Sequence, residues 1–474
     1  MGVPAYLGGM FIRQKRNKSG VISVQIIDKS SGKYRVLKTV GSSDQTLEIE
    51  ALLQKAQHEL EQLSGQQKIN FEIEKEAHLL DLFLKGITRI ELAGPELILG
   101  KLFDEIGFHK IKDELFRHLV LARLCYPASK LKTVDYLFKY KQLQIDVDAI
   151  YRYLDKLHSK QKELVEQISY EHSVKVLGCS ISIVFYDVTT LYFEIEQPDE
   201  LRKTGFSKEG RHQHPQILLG LLVSLEGYPL AYQIFEGNKF EGHTMLPVVE
   251  AFKSRYGLDK IVVVADAGLL SKNNITQLQE GNYHYVLGAR LKNEKESLQQ
   301  QVLSLKLSNG QSAEISKDKH SRLIVSYSTA RAKKDAANRQ RGMEKLEQQV
   351  KSGKLSKKNI NNRGYNKYLR MEGEVTISID YEKQQQDARW DGLKGYLTNT
   401  DLPKDQVIEQ YGQLWKIEKA FRISKTDLRI RPIYHRLRHR IEAHICIAFC
   451  AYKVYKELER QLKQKGAIWS AEKL

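Results

Sequence analysis

The sequence predicts an α/β protein whose catalytic half is a mixed sheet, and three observations lead there. From Ile181 the texture changes from helical periodicity to apolar runs of strand length, beginning with "ISIVFYDVTTLYFE". Strands and helices then alternate after two strands joined by a Glu-Gly turn in "PQILLGLLVSLEGYPLAYQIFEG". Two of the apolar strands, finally, carry an aspartate where the run meets its end, at Asp187 and Asp266.

Taken in order, the N-terminal stretch "MFIRQKRNKSGVISVQIIDKSSGKYRVLKTVGSS" alternates apolar and polar residues between Asn-Lys-Ser-Gly and Ser-Ser-Gly-Lys turns. It reads as a small antiparallel sheet of about three strands within residues 1–45. A polar helix follows from Leu47 to Leu63, and Glu91 to Leu177 is helical in period throughout, with Pro127 expected to start a new helix. Residues 46–178 are therefore grouped as a helical region. From 179 to 289 the order is three strands, a helix ("TMLPVVEAFKSRYG"), a strand ("KIVVVADAG"), a helix and a strand ("NYHYVLGAR"). That is the order of a ribonuclease-H-like sheet. Residues 290–390 break it with a polar, basic insertion, read as two charged helices or an arm flanked by strand-like "RLIVSYS" and "GEVTISIDYE". "DGLKGYLTNT" resumes the core over 391–465, followed by a long helix containing "YGQLWKIEKAFRISK" and a last helix from about His435 to Leu462.

Composition fits this plan. The 474 residues are 41% hydrophobic with a mean hydropathy of −0.46, as expected of a soluble protein with a sizeable core. No apolar run reaches the length of a membrane span and no signal peptide is recognisable, so no membrane role is expected. The four cysteines Cys125, Cys179, Cys446 and Cys450 are too scattered for a disulfide framework, which favours a reducing, cytoplasmic setting. Cys446 and Cys450, near His444, read as buried thiols, with half a metal site as the alternative. No HExxH, paired CxxC or GxxxxGK[ST] is present, which removes zinc-hydrolase and P-loop chemistry.

The net charge is +17, and its placement is informative. Thirteen Lys/Arg stand against three acids from Arg331 to Arg370, and nine against two from Tyr411 to Arg440, which together account for the whole excess. Charge confined to two stretches reads as the footprint of a polyanion. Within the second stretch, Tyr411, Leu414, Glu418, Arg422 and Lys425 recur at helical spacing, which puts a carboxylate on a basic face. An acid there, joined by Asp187 and Asp266 after apolar strand residues, is accounted for if all three bind cations. Three such acids suit two divalent ions roughly 4 Å apart. Oxygen donors of this kind select magnesium or manganese. The neighbouring lysines and arginines would then face phosphates.

These blocks resemble the DDE transposases of bacterial insertion sequences, in the group with a Y-x2-R-x3-E-x6-K signature on the last catalytic helix. Tyr411, Glu418 and Lys425 match in place, Trp415 to Glu418 gives the W-x-I-E core, and the arginine position is Leu414. "DVTTLYFE" is similar to the first-aspartate block and "ADAGLLS" to the second, and "GFSKEGRHQHPQ", "EGNKFEGHT", "DGLKGYLTNT" and "RIEAHI" follow in the family's order. The resemblance implies cut-and-paste transposition. It implies binding of double-stranded DNA at terminal inverted repeats, pairing of two ends by a homodimer, metal-dependent nicking and 3′-OH transfer to target DNA, in the bacterial nucleoid. The helical region over 46–178 would bind the DNA ends. Asp187, Asp266 and Glu418 would be catalytic and hold the two Mg2+ or Mn2+ ions. Tyr411, Arg422, Lys425, Ser207, Lys208 and Arg211 would contact DNA, with Arg422 standing in for the missing arginine. Trp390 and Trp415 read as core residues, with base stacking as the alternative. A ribonuclease-H-like nuclease without strand transfer and an inactive DNA-binding regulator remain as other readings of the same acids.

Overall fold

Two units make up the computed structural model, Met1–Ile90 and Glu91–Leu474. The structure describes residues 9–63, 71–86, 91–178, 180–195, 197–207, 210, 212–269, 271–353, 355–361, 363–372, 376–471 and 473. In the first unit, alternation closes an antiparallel sheet of β1 (Met10–Arg16), β2 (Ile22–Asp28) and β3 (Arg35–Ser43), in that spatial order. Helix α1 (Thr46–Leu63) covers it: Ala56 and Leu60 bury against Val24 and Ile26, two residues apart on one face of β2. Helix α2 (Phe71–Gly86) leaves Leu79, Leu80 and Phe83 exposed.

The second unit opens with helices. A single π turn, Glu96–Gly100, runs into α3 (Lys101–Ile106), followed by α4 (Glu114–Cys125), α5 (Lys130–Lys141) and α6 (Val147–Lys156). Another π turn, Leu157–Gln161, leads into α7 (Lys162–Leu177). The starts are set by side-chain caps: Asp113 accepts from the Leu115 amide, Ser129 from Lys132 and Asp146 from Ala149. Pro127 thus lies in the break between α4 and α5, and Ser129, not the proline, starts the new helix.

The sheet follows: β4 (Ile183–Tyr192), β5 (Gln216–Ser224), β6 (Pro229–Glu236), α8 (Met245–Tyr256), β7 (Val262–Ala265), α9 (Lys272–Glu280) and β8 (His284–Ala289). Next come α10 (Glu296–Ser304), β9 (Ser312–Ser316), β10 (Arg322–Tyr327), α11 (Thr329–Lys351), β11 (Leu369–Glu372), β12 (Thr376–Ile379) and α12 (Tyr381–Ala388). The last elements are β13 (Leu393–Thr398), α13 (Lys404–Gly412), α14 (Trp415–Thr426) and α15 (Arg438–Gln464). Eight strands join in the order β6-β5-β4-β7-β8-β13-β10-β9, with β4, β7 and β8 mutually parallel and every other pairing antiparallel.

Because strand residues alternate faces, the sheet divides its side chains between two cores. Val184, Tyr186, Val263, Ala265 and Tyr285 pack with Val248, Val249 and Phe252 of α8. Phe185, Leu191, Val264, Val286 and Tyr396 face the other way, against Ile417 and Phe421 of α14 and the long α15. Helix α15 is buried along most of its length, from Ile441 to Leu458. Its one buried lysine, Lys453, donates to the Ser169 carbonyl (2.8 Å) and the Ser173 hydroxyl (2.5 Å) of α7. Cys446 and Cys450 lie in the same apolar core.

Two details differ from the sequence reading. The stretch taken as an insertion donates β9 and β10 to the main sheet, so only the segment from α11 to α12 stands apart. The first part of the basic stretch is one 23-residue helix, α11, with seven of its thirteen lysines and arginines; beyond it the described residues form the short 3-10 turns Lys357–Asn359 and Gly364–Tyr368 and then β11, so the expected second helix is absent among the described residues. Met343 and Leu346 of α11 bury against Tyr368, Leu369 and Ile379, and Arg339 grips Asp391 through two bonds of 2.5 and 2.6 Å. The polar bulk of the sequence concealed this small core. Among the described residues no helix is long and apolar enough to cross a membrane.

Candidate active site

Parallel pairing of β4 with β7 sets the geometry. Tyr186 lies beside Ala265 at the last paired position, so the residues that follow, Asp187 and Asp266, continue from neighbouring strands, which run about 4.8 Å apart. Both share the face of Phe185 and Val264, which α14 covers. Asp187 is half-buried within β4, and its Oδ1 accepts from the Val188 amide at 2.7 Å. Asp266 is exposed, the first residue past β7, where the chain leaves the carboxyl end of a parallel strand. Binding residues collect at such strand ends because loops there are free to vary.

Tyr411 is the residue the structure most clearly redefines. The expected continuous helix is broken: α13 ends at Gly412 and α14 starts at Trp415. Tight bonds from the Gln413 amide to the Gln410 carbonyl and from Leu414 to Tyr411 turn the chain between them. Tyr411 therefore does not continue the face that bears Glu418, Arg422 and Lys425. It is buried, 6% exposed, and its hydroxyl donates to Asp266 Oδ1 at 2.9 Å. Burial, reinforced by the Asp266 carboxylate, raises its pKa far above the ordinary phenol value, so it is a permanent donor. Gly288 on β8 makes room: a Cβ there would overlap both the Tyr411 hydroxyl and the Ala267 amide.

Glu418 is exposed in the first turn of α14, which lies over β4 and β5. Its charge adds to the influences that raise the pKa of Tyr411 and of Lys394. Leu414, at the arginine position of the signature, is buried in the core beneath α14, so an arginine is replaced by an apolar anchor. Arg422 is exposed and Lys425 half-buried on α14. Ser207 is buried in the connection between β4 and β5, where its amide donates to His212 Nδ1 at 3.2 Å. Lys208 and Arg211 lie outside the described residues. Trp390 is packed in a satellite core with Leu291 and Leu323, whereas Trp415 is 52% exposed.

Lys394 escaped the sequence reading. Standing two residues before Tyr396 on β13, it holds its ammonium 4.4 Å from the centre of the Tyr411 ring. Burial and Arg331 press its pKa down, while Asp266 and Glu418 pull it up. The signal for it was the lysine inside "DGLKGYLTNT", but only the pairing of β13 with β8 brings it to the acids.

Among the described residues, no three His, Cys, Asp or Glu side chains converge closely enough to hold a metal ion. The donor chemistry nevertheless fits one: neighbouring aspartates present hard oxygens on one face, one oxygen of Asp266 is already oriented by Tyr411, and Glu418 stands on the covering helix. Like charges hold carboxylates apart until a cation offsets them.

A sequence search of curated proteins finds no significant match. Among solved structures, a piggyBac transposase synaptic complex with hairpin DNA aligns over 76% of this chain and 68% of its own at 11% identity, with a TM-score of 0.39. A Mos1 transposase paired-end complex with the left transposon end aligns over 36% of this chain and 56% of its own, also at 11% identity, with a TM-score of 0.17. Residues 178–453, more than half of the sequence and the whole span from Asp187 to Lys425, match the model of the transposase DDE domain, and the chain belongs to that family of DNA transposases.

Proposed function

We propose that this protein is a cut-and-paste transposase of the bacterial insertion-sequence group bearing the Y-x2-R-x3-E-x6-K signature, with Asp187, Asp266 and Glu418 as its catalytic acids in a ribonuclease-H-like core. The observation that carries the reading is the register of β4 with β7, which makes Asp187 and Asp266 neighbours beneath the helix that bears Glu418. These three carboxylates would hold two magnesium or manganese ions, which when bound supply the acidity to activate water or a 3′-hydroxyl and to stabilise the leaving oxygen.

The chain's own residues do the rest. Tyr411 keeps one Asp266 oxygen in a hydrogen bond and so orients the other toward the site. Lys394, a half-buried ammonium in the field of Asp266 and Glu418, draws a phosphate oxygen of the scissile bond toward the acids. Arg422 and Lys425 hold phosphates along the strand, with Ser207, Lys208 and Arg211 doing so from the connection after β4. The helical region over 46–178 recognises transposon ends, and two copies pair them in the nucleoid.

The test uses duplexes carrying the terminal repeats that flank the gene. Wild-type protein should nick them with Mg2+ or Mn2+ and join pre-cut 3′ ends to target DNA. Asp187→Asn, Asp266→Asn and Glu418→Gln should each bind the ends yet fail to nick, because affinity comes mainly from cationic contacts. Cleavage within a few-fold of wild type in any of them removes that residue from the site, and nicking without joining leaves a nuclease.

A further inference from the structure

Away from the acids, four nitrogen-bearing side chains are enclosed together in the second unit. Arg123 closes α4, Lys130 opens α5, His435 lies between α14 and α15, and His444 is on α15; they are 5%, 6%, 9% and 6% exposed. The rings of His435 and His444 lie 5.2 Å apart, and Arg123 and His444 both reach the segment that follows α14, at the Leu428 and Ile430 carbonyls. Burial, Lys130 and Arg123 hold His435 down at about 3 and press His444 well below the ordinary imidazole value, while burial and Arg123 depress Lys130.

Among the described residues, no acid forms an ion pair with any of the four. Asp155 is committed to Arg440 and His439, and Asp427, one residue before the carbonyl that Arg123 meets, accepts from Thr426 at Oδ1 while its Oδ2 is buried without a partner. Arg123 donates only to the Leu428 carbonyl, at 3.4 Å, and Lys130 makes no hydrogen bond among the described residues. His444 Nε2 meets the Ile430 carbonyl at 3.1 Å, but its Nδ1 is buried without a partner. A guanidinium does not deprotonate in a protein. Enclosing one beside a lysine and two imidazoles with no counter-charge is costly, and an anion removes the cost.

We propose that Arg123, Lys130, His435 and His444 form an anion site that takes a phosphate group, supplied by the DNA backbone or by free phosphate. The surroundings favour phosphate over a carboxylate: Arg429, Arg436 and Arg438 are exposed on the segment that carries His435, and Tyr434 beside it is 68% exposed. The DNA source rests on the transposase reading; the free-phosphate source does not.

The experiment uses the full chain as wild type, Lys130→Met and His444→Gln. Thermal unfolding is followed in sodium phosphate against sodium chloride at equal ionic strength, and affinity for a transposon-end duplex is measured across salt. A rise in melting temperature specific to phosphate in the wild type, lost in Lys130→Met, supports the site with free phosphate as ligand. A slope of log K against log salt shallower by about 0.9 in Lys130→Met supports a DNA phosphate there. If Lys130→Met does not fold, His444→Gln carries both measurements. Variants that match wild type in both overturn the proposal. Nicking by the wild type is measured alongside: its absence would count against the transposase reading and leave the phosphate arm standing.

Discussion

Replacing Tyr411 with phenylalanine deletes one hydroxyl and nothing else, because the ring keeps its edge-on contact with Tyr396, 5.0 Å between centroids. What is lost is the bond to Asp266 Oδ1. Hydrogen bonds to a charged partner contribute about 1.5–3 kcal/mol. Asp266 is exposed, so water replaces the phenol and the lower figure applies. If that bond holds the carboxylate for catalysis, about 1.4 kcal/mol per decade converts its loss to roughly tenfold in rate. Stability should change by no more than about 1.5 kcal/mol. Single-turnover nicking at saturating DNA reads the chemical step, and duplex titration reads affinity separately. The expected result is a nicking rate reduced about tenfold with an unchanged dissociation constant. An unchanged rate, or weaker DNA binding with the rate intact, would refute the reasoning and return Tyr411 to the DNA surface.

Gly288→Ala should have a larger effect on the same step, since its methyl would displace both the Tyr411 hydroxyl and the Ala267 amide; nicking should fall while end binding is retained. Lys425 lies seven residues beyond Glu418 on α14, about 10 Å along the axis, so Lys425→Ala should weaken end binding and slow cleavage at subsaturating DNA while metal titration is unchanged. Neutralising the exposed Lys333, Lys334, Arg341 and Lys345 of α11 should reduce the salt slope of DNA binding by up to about 0.9 each, and an unchanged slope would exclude α11 from the DNA path. Acid should unfold the protein through the Glu457 cluster. Burial opposes the charge of Glu457, but bonds from Arg460, Tyr228 and Gln461 prevail and hold it at about 2, so its contribution is present above about 4.5 and fades as pH falls through 2. His172, pushed by burial and Lys453 to about 4, stays neutral while the unfolded form protonates, which removes stability between 6.5 and 4; Glu457→Gln should flatten the acid limb below 4.5 in denaturant titrations.

Strand order from β4 to β8 was legible because each strand is a short apolar run between turn residues, and the aspartates stood out by interrupting those runs. Glu418 was legible as an acid on a basic helix. The features that escaped were decided by contacts distant in sequence. Helical spacing carried Tyr411 onto the same face as Glu418, but the turn at Gln413 and Leu414 swings it toward Asp266, 145 positions earlier. Lys394 gains its place only through the pairing of β13 with β8. The core under α11 was hidden because Met343 and Leu346 are two apolar residues in a helix otherwise rich in lysine, arginine and glutamine. Nothing in the sequence signals the burial of Arg123, which comes from the packing of α4 against α15.

The long excursion between β8 and β13 has a bearing on when the protein can cut. Asp187 and Asp266 sit on strands that can pair as soon as β7 has left the ribosome, but Glu418 follows Asp266 by 152 residues. At about 5–20 residues per second, that gap is roughly 8–30 s of synthesis. During it the nascent chain holds two of its acids side by side but not the third, and β8 has an open edge awaiting β13. Under the proposed assignment, the order of the acids along the chain acts as a timer, and cutting waits for α14.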